Sequence, residues 1–137
     1  MVNYIDTFIA VADDSPTASS VIPQEKGGKK TVAVIQYEML VDRPYELTQE
    51  DVLFETHVRH KEIPAAELKK NGKRLREEFF AKDQPCLRTS PLARKYGWGF
   101  HFDPKGRVAL YAVESKDYKQ MPKKVSKVLK ALRSSRA

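Results

Sequence analysis

The chain has 137 residues, 41% hydrophobic and 31% charged, with 25 Lys and Arg against 18 Asp and Glu for a formal net charge of +7. Such a composition excludes a disordered chain, which is poor in apolar residues, and a helical membrane span, which needs about 18 or more consecutive apolar residues; it predicts one soluble domain burying roughly two thirds of its unfolded surface. The lone Cys86 excludes an internal disulfide, and the start MVNYIDTFIAVADDSP lacks a basic segment before its apolar run, so a cytoplasmic setting is expected.

Residues 4–12 are rich in β-branched and aromatic side chains and stop at Asp13-Asp14-Ser15-Pro16, which predicts a strand. Alternation places Ile5, Thr7, Ile9 and Val11 on one face and Tyr4, Asp6, Phe8 and Ala10 on the other, so Asp6 needs partners or a wet strand end. Residues 13–30 have no period and carry Pro16, Pro23, Gly27 and Gly28, a long connection. Residues 31–41 predict a helix by the spacing of Ala33, Tyr37 and Leu40 and by the stop at Asp42-Arg43-Pro44.

Thr48, followed by Gln49-Glu50-Asp51, suits the N-cap of a helix from about 49 to 61; alternation across 52–58 leaves a strand as the competing reading. Pro64 opens a further helix to about Ala81, striped by Leu68, Leu75 and Phe79, with Asn71-Gly72 a candidate break. Ser90-Pro91 through Gly97 reads as a short helix with its cap, first-turn proline and terminating glycine in place.

Asp103-Pro104-Lys105-Gly106 suits a type I turn with a bulge, pairing Asp103 with Arg107, Phe102 with Val108, His101 with Ala109, Phe100 with Leu110, Gly99 with Tyr111 and Trp98 with Ala112. One face of this hairpin, 98–113, then carries Trp98, Phe100, Phe102, Val108, Leu110 and Ala112 toward a core. The other carries Gly99, His101, Asp103, Arg107, Ala109 and Tyr111, with Tyr111 expected over Gly99 and Asp103 paired to Arg107. Pro122 is expected to open a last helix with Val125, Val128, Leu129 and Leu132 on its dry stripe.

Charge is segregated. Residues 1–115 hold 17 basic and 17 acidic side chains, so the whole excess lies in a basic helix or tail, 116–137, where eight Lys and Arg meet only Asp117. Such a surface can hold phosphates, but it lacks the interleaved aromatics that stack bases. Gly27-Gly28-Lys29-Lys30-Thr31 is not a Walker A loop, because Lys30 separates Gly28-Lys29 from Thr31 and Pro23 occupies the earlier glycine position; it reads as a basic loop leading into a capped helix.

Arg88, Thr89, Ser90 and the free N–H groups of the 91–96 helix, with Arg94, form a candidate anion-binding corner, and His101, Arg107 and Tyr111 extend it along the second hairpin face. Cys86 with His101 as base, His57 and His60 as a metal pair, and Asp6 or Asp103 as acids make an enzymatic alternative. No motif specific to metal ligation or a cofactor is present, and none is assigned.

The segments NYIDTFIAVADDSP, YELTQEDVLF, QPCLRTSPLARKYGWG and GRVALY together resemble a family of short bacterial proteins, a domain of unknown function. The likeness runs to about Tyr111 and leaves out the basic end. It implies a stand-alone bacterial cytosolic protein and brings no catalytic residues.

The expected architecture is therefore a single α+β domain, residues 1–137, whose small antiparallel sheet joins strand 4–12 to the hairpin and packs against several helices. The expected role is a non-catalytic binding module for an anionic partner, a phosphate-bearing ligand or nucleic acid, away from membranes.

Overall fold

The computed structural model describes residues 3–134. Strand β1 (Thr7–Ala10) is followed by the long connection, and Thr31 then accepts a hydrogen bond from the Val34 N–H to open α1 (Val32–Val41). Ala33, Val34, Ile35, Gln36, Met39 and Leu40 are all buried, so α1 is the central helix, apolar around most of its circumference. That burial explains why its β-branched start does not become a strand.

Strand β2 (Leu47–Thr48) runs directly into α2 (Gln49–His60). A reciprocal cap decides the helix over the competing strand: the Asp51 N–H donates to Thr48 Oγ1 at 3.2 Å, and the Thr48 N–H donates to Asp51 Oδ2 at 3.0 Å. Helix α3 (Ala65–Ala81) runs unbroken through Asn71-Gly72 and leans on α2, with Phe79 packed on Phe54 and His57 and Arg76 bridging to Asp51 at 3.0 Å. A single turn at Leu87–Thr89 leads to α4 (Pro91–Lys95), capped by Ser90.

Strands β3 (Trp98–Phe102) and β4 (Arg107–Ala112) form the hairpin in the register that the turn chemistry predicts, from Trp98 opposite Ala112 to Phe102 opposite Val108. The Asp103 carboxylate holds the turn by accepting from the Lys105 and Arg107 backbone N–H groups, each at 2.9 Å. It is this backbone capture that joins Asp103 to Arg107, in place of the expected side-chain pair. Strand β1 joins β3 antiparallel, as expected, with Phe8 beside His101.

The sheet has five strands rather than three, in the order β2-β4-β3-β1-β5. After α5 (Lys116–Gln120) and a single turn at Met121–Lys123, the chain forms β5 (Lys127–Lys130), parallel to β1. This corrects the expected helix after Pro122. An unpaired outer edge on β1 would leave N–H and C=O groups without partners. The last segment satisfies them, as when the Ala131 N–H donates to the Ala10 carbonyl at 2.9 Å. The residues that helical spacing gathers into one stripe consequently part company: Leu129 packs on the core, while Val128 and Leu132 are each 43% exposed. Arg136, part of the basic end, lies outside the described residues.

The two sheet faces are covered differently. Ile9, Phe100, Phe102 and Val108 face α1, α2 and α4 in the main core with Met39, Leu40, Val52 and Leu92. On the other face, the Tyr118 ring of α5 meets Phe8 edge-on at 5.0 Å, and its hydroxyl accepts from the Val11 N–H at 2.8 Å. Phe8 and Tyr118, not Tyr111, fill the space over Gly99, where an added Cβ would stand 2.8 Å from each ring.

The alternation expected through residues 4–12 breaks at Asp6. Its φ of 45° is left-handed, a conformation that costs a non-glycine residue about 1–3 kcal/mol and turns the preceding chain over. Tyr4 therefore packs edge-on against Phe102 on the helical side, and Ile5, which alternation places on one face with the buried Ile9, is 59% exposed.

Candidate functional site

The structure brings two of the six sequence-predicted site residues together. Tyr45, held at φ 60° while its N–H donates to the Val108 carbonyl at 2.9 Å, places its hydroxyl 2.7 Å from His101 Nδ1 and 2.6 Å from the Tyr111 hydroxyl. Burial depresses the His101 pKa below its usual value, outweighing Asp103 and Asp6, which favour the charged ring; Lys124 opposes it. Burial, and then the Tyr111 hydroxyl, push the Tyr45 phenol well above its usual range. His101 is thus neutral at pH 7, and with Nδ1 as acceptor the hydrogen bonds run from Tyr111 through Tyr45 to the imidazole. Sequence reasoning missed Tyr45, because a two-residue strand gives no sign of which neighbour it joins.

Of the other four, Arg107 shares the His101 face of β4 with Ala109 and Tyr111 but makes no contact with the Tyr45 hydroxyl, and Arg88, Ser90 and Arg94 lie away from it. Arg107 is exposed at the hairpin's end. Arg88 spends its Nε–H on the Lys130 carbonyl at 2.7 Å, which fastens the end of β5. Ser90 is only 3% exposed, caps α4 through the Leu92 N–H, and donates to Gln36 Oε1 at 2.5 Å. Arg94 is half-buried on α4, its Nε without an acceptor among the described residues. Arg88 and Ser90 thus have structural partners, and the expected corner does not converge with His101.

The enzymatic alternative is rearranged as well. Cys86 lies on the helical side of the sheet, against Tyr4, whose pKa is raised to about 12 by burial and by its hydrogen bond to the thiol. His101 faces the opposite side. Cys86 instead lines a cavity of about 220 Å³ together with His57 and His60. Among the described residues, no group of three or more His, Cys, Asp or Glu is arranged to hold a metal ion.

A second, larger cavity of about 810 Å³ opens beside the first turn of α1. Its rim includes Lys26, Lys29 and Lys30 from the connection and Arg59 from α2. Gly27 and Gly28, at φ 60° and 76°, make the tight reversal that pairs Lys26 with Lys29 and presents the lysines there. Three carboxylates, Glu25, Glu38 and Glu62, share the lining, and Glu38 is committed to Lys30 at 2.8 Å. No acidic residue sits in the first turn of α1, where unpaired N–H groups and the helix dipole favour an anion. The glycines and lysines of this loop, and the capped helix they lead into, were the visible sequence signal; the cavity that they form with Arg59 of α2 was not.

Along residues 1–137 the chain matches the family of unknown function DUF6157, and it belongs to that family. No curated protein and no solved structure matches it.

Proposed function

We propose that this protein is a binding module for a phosphate-bearing small molecule, held in the cleft at the start of α1. The observation that carries the reading is the meeting of Lys26, Lys29 and Arg59 with the N-terminal turn of a ten-residue helix on one concave cavity of about 810 Å³. A cavity of that size suits a small ligand. The lysines of 116–130 line none of it, and their exposed surface is that of a solvated face. Four cations against three carboxylates leave a modest excess, so affinity rests on the helix N–H groups as much as on net charge. The unpaired Cys86 suits a reducing compartment such as the cytoplasm.

Isothermal titration with inorganic pyrophosphate tests the reading. Binding that weakens as salt rises, and falls about tenfold (~1.4 kcal/mol) in Lys26→Ala/Lys29→Ala, is the expected result. Equal affinity in wild type and the double variant would remove the cleft from the function. A short single-stranded oligonucleotide binding more tightly than pyrophosphate, with the double variant unaffected, would move the function to another surface.

A further inference from the structure

The cleft and the smaller cavity share Val32 and His60 in their walls, so a ligand seated in one lies within a side chain's width of the other. Their chemistry differs. The inner cavity contains no Lys, Arg, Asp or Glu in its lining and so offers a second anionic group no countercharge. Nor is it an apolar slot. Gln36, 3% exposed, accepts from Ser90 and gives one amide N–H to Thr56 at 3.3 Å, and no acceptor among the described residues meets its second N–H. His57 lies against the Phe79 ring at a centroid distance of 4.7 Å, and both border the cavity. Burial, with Lys61 and His60 nearby, keeps that imidazole neutral. An alkyl chain would strand the Gln36 donor and the imidazole, each costing about 1–3 kcal/mol. A flat, neutral group with hydrogen-bonding edges would satisfy them, and Leu53 and Phe79 supply apolar walls for its faces.

We infer that the ligand is a nucleotide, its phosphates in the lysine-rimmed cleft and its base in the inner cavity between Gln36 and His57. This rests on the reading of the cleft as an anion site. The chain carries three histidines, and their positions report on each part: His60 borders both cavities, His57 the inner one but not the cleft, and His101 the opposite side of the sheet. The test is a titration of the full chain, followed by the ring C–H resonances of the three histidines, with pyrophosphate and with ADP, GDP, CDP and UDP. Pyrophosphate is expected to move His60 alone. At least one nucleoside diphosphate is expected to move His57 as well and to bind at least tenfold more tightly, with His101 unmoved. Should all four move His60 only and bind no better than pyrophosphate, the base site is overturned while the anion site stands. Should no ligand move His60, the anion reading fails and the nucleotide with it. Leu53→Trp, which crowds the inner cavity, is expected to abolish the preference for the nucleotide and to leave pyrophosphate binding intact; an undiminished preference would also overturn the base site.

Discussion

The Tyr45 hydroxyl stands 2.7 Å from His101 Nδ1 across 56 residues of chain, and with the Tyr45 N–H bond to the Val108 carbonyl it ties the left-handed turn before β2 to the sheet. A donor to Nδ1 favours the neutral ring. Tyr45→Phe therefore raises the His101 pKa toward the ordinary histidine value and leaves two half-buried polar atoms short of a partner. A stability loss of about 1–2 kcal/mol is expected in urea denaturation. An unchanged His101 titration in the variant would show that the phenol does not bias the ring.

Both His57 and His101 have folded-state pKa values below the unfolded value of 6.5, each chiefly through burial. The unfolded chain then binds more protons than the folded one once pH drops below about 6.5, so stability falls with falling pH and levels off below the folded values. Asp51 acts in a separate range: burial raises its pKa, but hydrogen bonds from Thr48 and Arg76 hold it below 3.8 on balance, so its contribution is lost only under stronger acid. Thermal melts from pH 7.5 to 5 are expected to show a falling Tm. His57→Gln combined with His101→Gln is expected to flatten that dependence.

Thr48 caps α2, and Asp51 both completes the cap and receives Arg76 of α3. Thr48→Ala is expected to cost about 1 kcal/mol, with hydrogen exchange quickening first in the opening turn of α2. Asp51→Ala removes the cap's second half and the ion pair that holds α3, a helix with no fully buried residue. Its exchange should therefore quicken along α3 too, which Thr48→Ala alone should not produce.

The parts of this fold that were legible in the sequence are those fixed by neighbours along the chain. The turn at 103–106 sets the hairpin register because its residues dictate the backbone directly, and Thr31, Thr48 and Ser90 mark helix starts for the same reason. What stayed hidden depends on distant partners. Lys127–Lys130 becomes a strand because the edge of β1 lies free more than a hundred residues earlier, and no local pattern announces that. Asp6 gives no sign of its left-handed backbone, yet it decides which way Tyr4 and Ile5 point. The same limit applied to the sites: the loop at Gly27-Gly28 was visible, whereas its cavity needed α1 and α2 brought side by side.

Gly99 is a close-approach position. A methyl group there would meet Phe8 and Tyr118 at 2.8 Å, both parts of a packed face with Phe8 fully buried. Gly99→Ala is expected to destabilise by about 1–3 kcal/mol through forced movement of α5. Tyr118→Phe keeps the ring and strands the Val11 N–H, so it should cost about 1–3 kcal/mol by a different route. Near-ultraviolet circular dichroism separates them: the glycine variant should disturb aromatic packing, and the phenylalanine variant should leave the packing of the remaining aromatics largely as it is.

The basic end is both a charged surface and a structural element, and two alterations separate these roles. A chain ending at Ser115 loses the Tyr118 ring over Phe8, the acceptor for Val11, and the whole of β5 along the edge of β1. It is expected not to fold cooperatively, so lost ligand binding in such a chain would say nothing about charge. Lys116, Lys119 and Lys123 are exposed and line none of the cleft. Replacing all three by Gln lowers the formal charge while each substitution shifts stability by less than about 0.5 kcal/mol. Pyrophosphate affinity at moderate salt should then stay within a factor of about two, because exposed charges farther than a Debye length of about 8 Å are screened. A loss as large as that of Lys26→Ala/Lys29→Ala would place the anion on the basic end instead of at the start of α1.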